Sequence, residues 1–120
     1  MKRKGFTLIE LMGVLIILGI LAAIAVPTIA KTIKNSREKA YEDQVGIIVA
    51  AAKNWSADHI SVLPEEDGVF IPVKISELQE GGYLESSVEN PKTQEPFNGN
   101  SYVLISRYGD RYNYEFHLVQ

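Results

Sequence analysis

The sequence contains no cysteine. That excludes disulfide staples, thiolate metal sites and cysteine nucleophiles. Histidine is scarce too: His59 and His117 stand alone, and a lone histidine on a polar face reads as a solvated side chain. Serine, histidine and acids are all present, yet no nucleophile elbow and no phosphate-cradling glycine loop appears. The acidic run Glu65-Glu66-Asp67 lacks the Asp-x-Asp-x-Asp-Gly pattern of a calcium loop and reads as a solvated loop. The residues therefore point to no metal, no cofactor and no enzyme activity. Basic stripes with interleaved aromatics are also missing. The net charge is −3, and without Lys2, Arg3 and Lys4 the balance is 9 basic against 15 acidic residues, or −6. An acidic body argues against nucleic acid as a direct partner, because phosphate binding needs clustered Lys and Arg.

What the chain does have is one long apolar run. Leu11 to Ala30 is twenty residues without a charge. As a helix it spans roughly 30 Å, the thickness of a bilayer's hydrocarbon. A helix apolar on all sides has no aqueous face and requires lipid or protein around it. Two plain readings are a transmembrane anchor and a secretory signal peptide, the latter with Ala23-Ile24-Ala25 as its small-x-small cleavage site. Glu10 troubles both. A carboxylate in the first turn gains a little from the helix dipole, but it costs a few kcal/mol as the segment sinks into the membrane unless it finds a partner. Charge leaves orientation open, since Lys2, Arg3 and Lys4 flank one end and Lys31, Lys34, Arg37 and Lys39 the other.

Lys4-Gly5-Phe6-Thr7-Leu8-Ile9-Glu10, followed by an apolar run ending near Pro27, closely resembles the N-terminus of type IV prepilins and type II secretion pseudopilins. The resemblance implies a leader of residues 1–5, removed by a membrane aspartyl peptidase that cuts between Gly5 and Phe6 and methylates the Phe6 amine. It implies that Glu10 meets the Phe6 amine of an adjacent subunit during assembly. Cutting there creates a cation one helical turn from Glu10, and removing one member of such a low-dielectric pair typically costs about 3–5 kcal/mol. The resemblance also implies that the stretch from Gly19 to Pro27 unwinds as subunits pack; the residues alone read equally as a tolerated pair of glycines, Gly13 and Gly19, with a harmless kink at Pro27 in a membrane helix. It sets the direction as N-in, C-out: a single-pass precursor in the cytoplasmic membrane, held by lipid before assembly, then an extracellular filament. The implied partners are other copies or related pilin subunits, the prepilin peptidase and an assembly platform protein. Related subunits from bacteria with an outer membrane often carry a disulfide loop, so its absence points to a single-membrane bacterium or a pseudopilin.

After Pro27 the pattern turns amphipathic, with Ile29, Ile33, Ala40, Tyr41, Val45, Ile48, Ala52 and Trp55 recurring at helical spacing. One helix is expected from about residue 6 to about residue 57, bent near Pro27. Its 6–30 half forms the transmembrane or filament-core part; residues 31–120 hold the amphipathic half and a head. The fold class expected is α+β, a long N-terminal helix packed against a small antiparallel sheet. Pro64, Gly68 and Pro72 mark loop over Asp58 to Ile71, and Ile75–Glu80 suits a short helix stopped by Gly81-Gly82. Tyr102–Tyr108 and Tyr112–Val119 read as two strands joined through Gly109-Asp110-Arg111. Tyr112, Tyr114 and Phe116 then share the face that packs on Tyr41, Val45, Ile48 and Trp55 of the helix. Leu78 to Tyr102 also resembles the head region of Gram-positive pilins and pseudopilins.

A structural subunit serving adhesion, motility, DNA uptake or secretion is the expected function. The alternative is a bitopic membrane protein whose small extracellular head binds a ligand or partner.

Overall fold

The computed structural model describes Gly5 and residues 7–120. The chain divides into two compact units, one ending at Ser36 and one running from Arg37 to Gln120. The helix α1 (Leu8–Asp58) belongs to both.

In the first unit, α1 passes through Gly19 and Pro27 without a break. Proline lacks an N–H, so the carbonyl one turn earlier, on Ala23, loses its helical donor. The next hydroxyls are satisfied within the helix: Thr28 Oγ1 donates to the Ile24 carbonyl at 3.1 Å and Thr32 Oγ1 to the Thr28 carbonyl at 3.0 Å. Every large aliphatic side chain from Val14 to Val26 is between 50% and 65% exposed. This is a helix long and apolar enough to cross a membrane.

In the second unit, a three-stranded antiparallel sheet lies in the order β1 (Phe70–Lys74), β4 (Tyr102–Tyr108), β5 (Arg111–His117). Between β1 and β4 come α2 (Ile75–Glu80) and a short ribbon of β2 (Glu89–Asn90) with β3 (Glu95–Pro96). Register puts Ile71, Ile105 and Tyr114 in one cross-strand row and Val73, Val103 and Phe116 in the next. These six share a face because strand side chains alternate. Val73, Val103 and Ile105 form the core with Ile48, Ala51 and Ala52 of α1, Ile75 and Leu78 of α2, and Leu63, Leu84 and Phe97, while Ile71, Tyr114 and Phe116 pack against it. Alanines at 51 and 52 keep that helix face low, so larger strand side chains fill the space. An α+β fold with a long N-terminal helix and a small antiparallel sheet is what the sequence pattern predicts.

Three expectations are corrected. The stretch expected as loop up to Ile71 contains a 3-10 turn, Ile60–Val62, and the start of β1. Pro72 suggests loop in the sequence, but β1 is an edge strand, where a missing donor is tolerated. The strand expected over Tyr112–Val119 is β5, Arg111–His117. Tyr108 pairs with Arg111, so the hairpin turn is the two residues Gly109-Asp110, with Gly109 at φ +63°. A positive φ at the first central residue suits the twist of the flanking strands, and glycine takes it without a Cβ clash. Tyr112 is 38% exposed and outside the core. It lies beside the hairpin turn opposite Arg107, at the end of the sheet.

α2 ends by a specific device. The Tyr83 N–H donates to the Leu78 carbonyl at 2.9 Å and the Gly82 N–H to the Gln79 carbonyl at 3.2 Å, with Gly82 at φ +80°. This is a Schellman closure, which needs a left-handed residue just past the helix.

Candidate functional site

The start of α1 is built from Thr7-Leu8-Ile9-Glu10. The Glu10 N–H donates to Thr7 Oγ1 at 3.2 Å, and the Thr7 N–H donates to Glu10 Oε2 at 3.4 Å. The two residues thus satisfy each other's backbone donors in a capping box. The Leu11 N–H closes the first turn on the Thr7 carbonyl at 3.1 Å. Glu10 is exposed, as are Leu8 and Ile9 around it. One carboxylate therefore stands at the threshold of a charge-free apolar surface, held toward the free N–H groups of the helix end.

Of the residues expected to act here, Gly5 is exposed, and an added Cβ would meet nothing within 4 Å. Phe6, expected to carry cleavage, methylation and filament contact, lies outside the described residues. Gly19 and Pro27, expected to mark an unwinding stretch, are both helical. The sequence reading missed Thr7. Its Ser/Thr-x-x-Glu spacing ahead of an apolar run is a helix-start signature, whereas the sequence reading relates Glu10 only to the helix dipole and to an ionic partner.

In the second unit, Ile48 is fully buried, and Tyr41, Trp55, Tyr114 and Phe116 pack against the core. The Tyr41 and Phe116 rings both approach Phe97, at 6.3 and 5.9 Å between centroids. Tyr114 Oη lies 2.8 Å from Ser56 Oγ, a side-chain hydrogen bond from β5 to α1. Val45 is half-buried outside the core cluster.

Several polar contacts join the connecting segments. The Tyr83 hydroxyl donates to Asp58 Oδ2 at 2.6 Å, and that acceptor carboxylate holds the phenol pKa above its ordinary value. His59 stacks on Trp55 at 4.3 Å, with Nδ1 2.8 Å from the Trp55 carbonyl oxygen. His117 stacks on Tyr102 at 5.1 Å, its Nε2 3.7 Å from Glu115 Oε2, too long for a hydrogen bond. The acidic loop is tied to the hairpin: Asp67 Oδ1 accepts from the Gly109 N–H at 2.9 Å, and Arg107 donates to the Glu65 carbonyl at 2.8 Å. The Tyr83–Asp58, His59–Trp55, Asp67–Gly109 and Arg107–Glu65 contacts hold connecting segments to the helix or hairpin, while His117 stacks within the sheet with its Nε2 buried and without a hydrogen-bond partner among the described residues; none of these groups aligns a nucleophile with a base.

A family profile described as "Prokaryotic N-terminal methylation motif" matches residues 1–26. The chain is 30% identical over 113 residues to the type II secretion system core protein G of Klebsiella pneumoniae, covering 88% of this chain and 76% of that protein. It is 29% identical over 91 residues to the competence protein ComGC of Bacillus subtilis, covering 76% of this chain and 84% of that protein. Against the type IV major pilin protein PilA of Myxococcus xanthus it is 39% identical over 57 residues, 48% of this chain and 26% of that protein. No solved structure matches the chain significantly.

Proposed function

Because the chain belongs to the type IV pilin and pseudopilin family, and so is a pilus-like structural subunit rather than an enzyme, we propose the following course for it. The leader 1–5 is cut between Gly5 and Phe6 by a prepilin peptidase, and the new Phe6 amine is methylated. Before assembly the protein spans the cytoplasmic membrane once, N-terminus inward, with Leu11–Ala30 in lipid. An assembly platform protein then transfers it to a helical filament of like subunits outside the cell, with residues 31–120 carrying the head. The observation that carries this reading is the exposed, charge-free helix surface from Leu11 to Ala30 behind a single acid at Glu10. Such a surface is stable only in lipid or among other helices.

Glu10 serves as a register device. In the free chain its carboxylate accepts the Thr7 N–H. In the filament the Phe6 amine of a neighbour becomes its partner, since a carboxylate among apolar helices needs an opposite charge. The stretch Gly19 to Pro27, which already lacks one backbone donor, unwinds as helices crowd together.

N-terminal sequencing and intact mass of the mature protein test the reading. The expected start is N-methylated Phe6; a start at Met1 or at Val26 would refute it and favour a bitopic protein or a secreted one. Glu10→Ala is expected to insert normally in the membrane and to enter filaments far less than wild type. Equal incorporation in cells expressing both would remove the role given to Glu10.

A further inference from the structure

A cleft of about 480 Å³ opens in the second unit between α1 and the segment that follows α2. Gln44 and Ile47 form its helix wall; Leu84, Glu85, Ser87, Val88 and Glu89 form the other. It combines an apolar floor with two carboxylates and has no basic residue in its lining. Ile47 is 51% exposed there although it is one residue from the fully buried Ile48. Among the described residues neither Glu85 nor Glu89 is ion-paired.

The chain also carries the complementary surface. Residues 31–39 of α1 hold Lys31, Lys34, Arg37 and Lys39 against one acid, Glu38, a local charge of +3. All nine of these residues are exposed, and among the described residues none of the four cations is ion-paired. Beyond residues 1–5 the remaining five basic residues, Lys53, Lys74, Lys92, Arg107 and Arg111, are scattered. Ile33 sits within the basic stretch, 47% exposed, adjoining Lys34 and one helical turn before Arg37.

We propose that the cleft receives the Lys31–Lys39 stretch of a second copy of this chain, Ile33 entering beside Ile47 and Val88 while Lys34 and Arg37 meet Glu85 and Glu89. This rests on the filament reading and specifies a contact within it. Ile33 and Ile47 are 14 residues apart along α1, so parallel copies shifted by about 21 Å bring them side by side. Because the two surfaces differ, each copy offers one and accepts the other, and such a head-to-tail contact propagates instead of closing on itself. The shift exceeds the single turn separating Glu10 from Phe6, so the cleft serves a different neighbour from the one that meets Glu10.

The absence of cysteine makes a clean test available. Full-length Ile33→Cys and Ser87→Cys chains are expressed together and singly in the native cells, oxidised, and resolved without reductant. A cross-linked dimer from sheared filaments only when both chains are present is the expected result, since a disulfide needs Cα atoms within about 7 Å. Filaments that form from the mixture without that dimer overturn the contact while leaving the filament reading intact. Wild-type cells that make no filament with a Phe6 start overturn the reading itself. In a second arm, Glu85→Lys with Glu89→Lys is expected to lower filament yield about tenfold, and Lys34→Glu with Arg37→Glu in the same chain to restore it. Undiminished assembly with the acids reversed, or no recovery after the swap, overturns the proposal.

Discussion

The two ends of α1 obey opposite rules on one continuous backbone. From Val14 to Val26 the large aliphatic side chains stand at least half exposed around the whole helix, whereas at Ile48, Ala51 and Ala52 a single face is buried under a sheet. The first end presents large residues in every direction and no polar face. The second buries Ile48, Ala51 and Ala52 under the sheet and carries Glu42, Asp43, Lys53 and Asn54 on its exposed faces. A helix whose own fold covers one face needs only a stripe, while a helix covered by lipid or by copies of itself needs apolarity all round. Among the described residues, the chain's own fold covers the second end and leaves the first uncovered.

Changes confined to one end should leave the other untouched. The largest effect is expected from Ile48→Ala, which empties a fully buried position and should cost about 2–5 kcal/mol of head stability. Denaturant unfolding of the detergent-solubilised chain, followed by Trp55 fluorescence, would show it, with membrane insertion unchanged. Leu18→Arg reverses the pattern: insertion should weaken by about 2.5–3.5 kcal/mol for a charge near the middle of the apolar run, while the unfolding midpoint of the head stays fixed. An equal loss in both measurements for either variant would break the comparison. Thr7→Ala removes the oxygen that accepts the Glu10 N–H and should destabilise the helix start by about 1 kcal/mol. Faster hydrogen exchange confined to the Leu8–Leu11 amides is the expected signature.

The smallest effect concerns the hydrogen bond between half-buried Tyr83 and exposed Asp58. The hydrogen bond raises the phenol pKa, so its contribution is fully present below the ordinary value of about 10 and is lost as pH rises through the higher folded value. Tyr83→Phe should therefore remove a small stabilisation at neutral pH and flatten the alkaline limb, in which the wild type loses that same contribution.

Some of this was legible in the residues, and the limits are instructive. Ile75–Glu80 coincides with α2 because Gly81-Gly82 supplies a left-handed stop that no other pair provides so readily. Tyr102–Tyr108 coincides with β4 because its alternation is uninterrupted. β1 escaped because Pro72 interrupts Phe70–Lys74, and whether proline is tolerated depends on which strand is outermost, a fact of topology. Thr7 was overlooked although its spacing to Glu10 is local. One acid can satisfy two demands, and the ionic one attracted the assignment. The Ile47 cleft had no sequence signal at all, since its walls are brought together only by folding.

Pro72 has a further consequence. Subunits stacked in a polymer hold their heads at very high mutual concentration, a condition under which bare strand margins tend to zip together. Proline occurs on a sheet margin where its missing N–H would have pointed outward, so a strand approaching β1 finds no hydrogen to accept at its midpoint. Crowded heads are thereby discouraged from merging into one continuous sheet along that border, and their contacts are left to side chains, which can be broken when a fibre is taken apart.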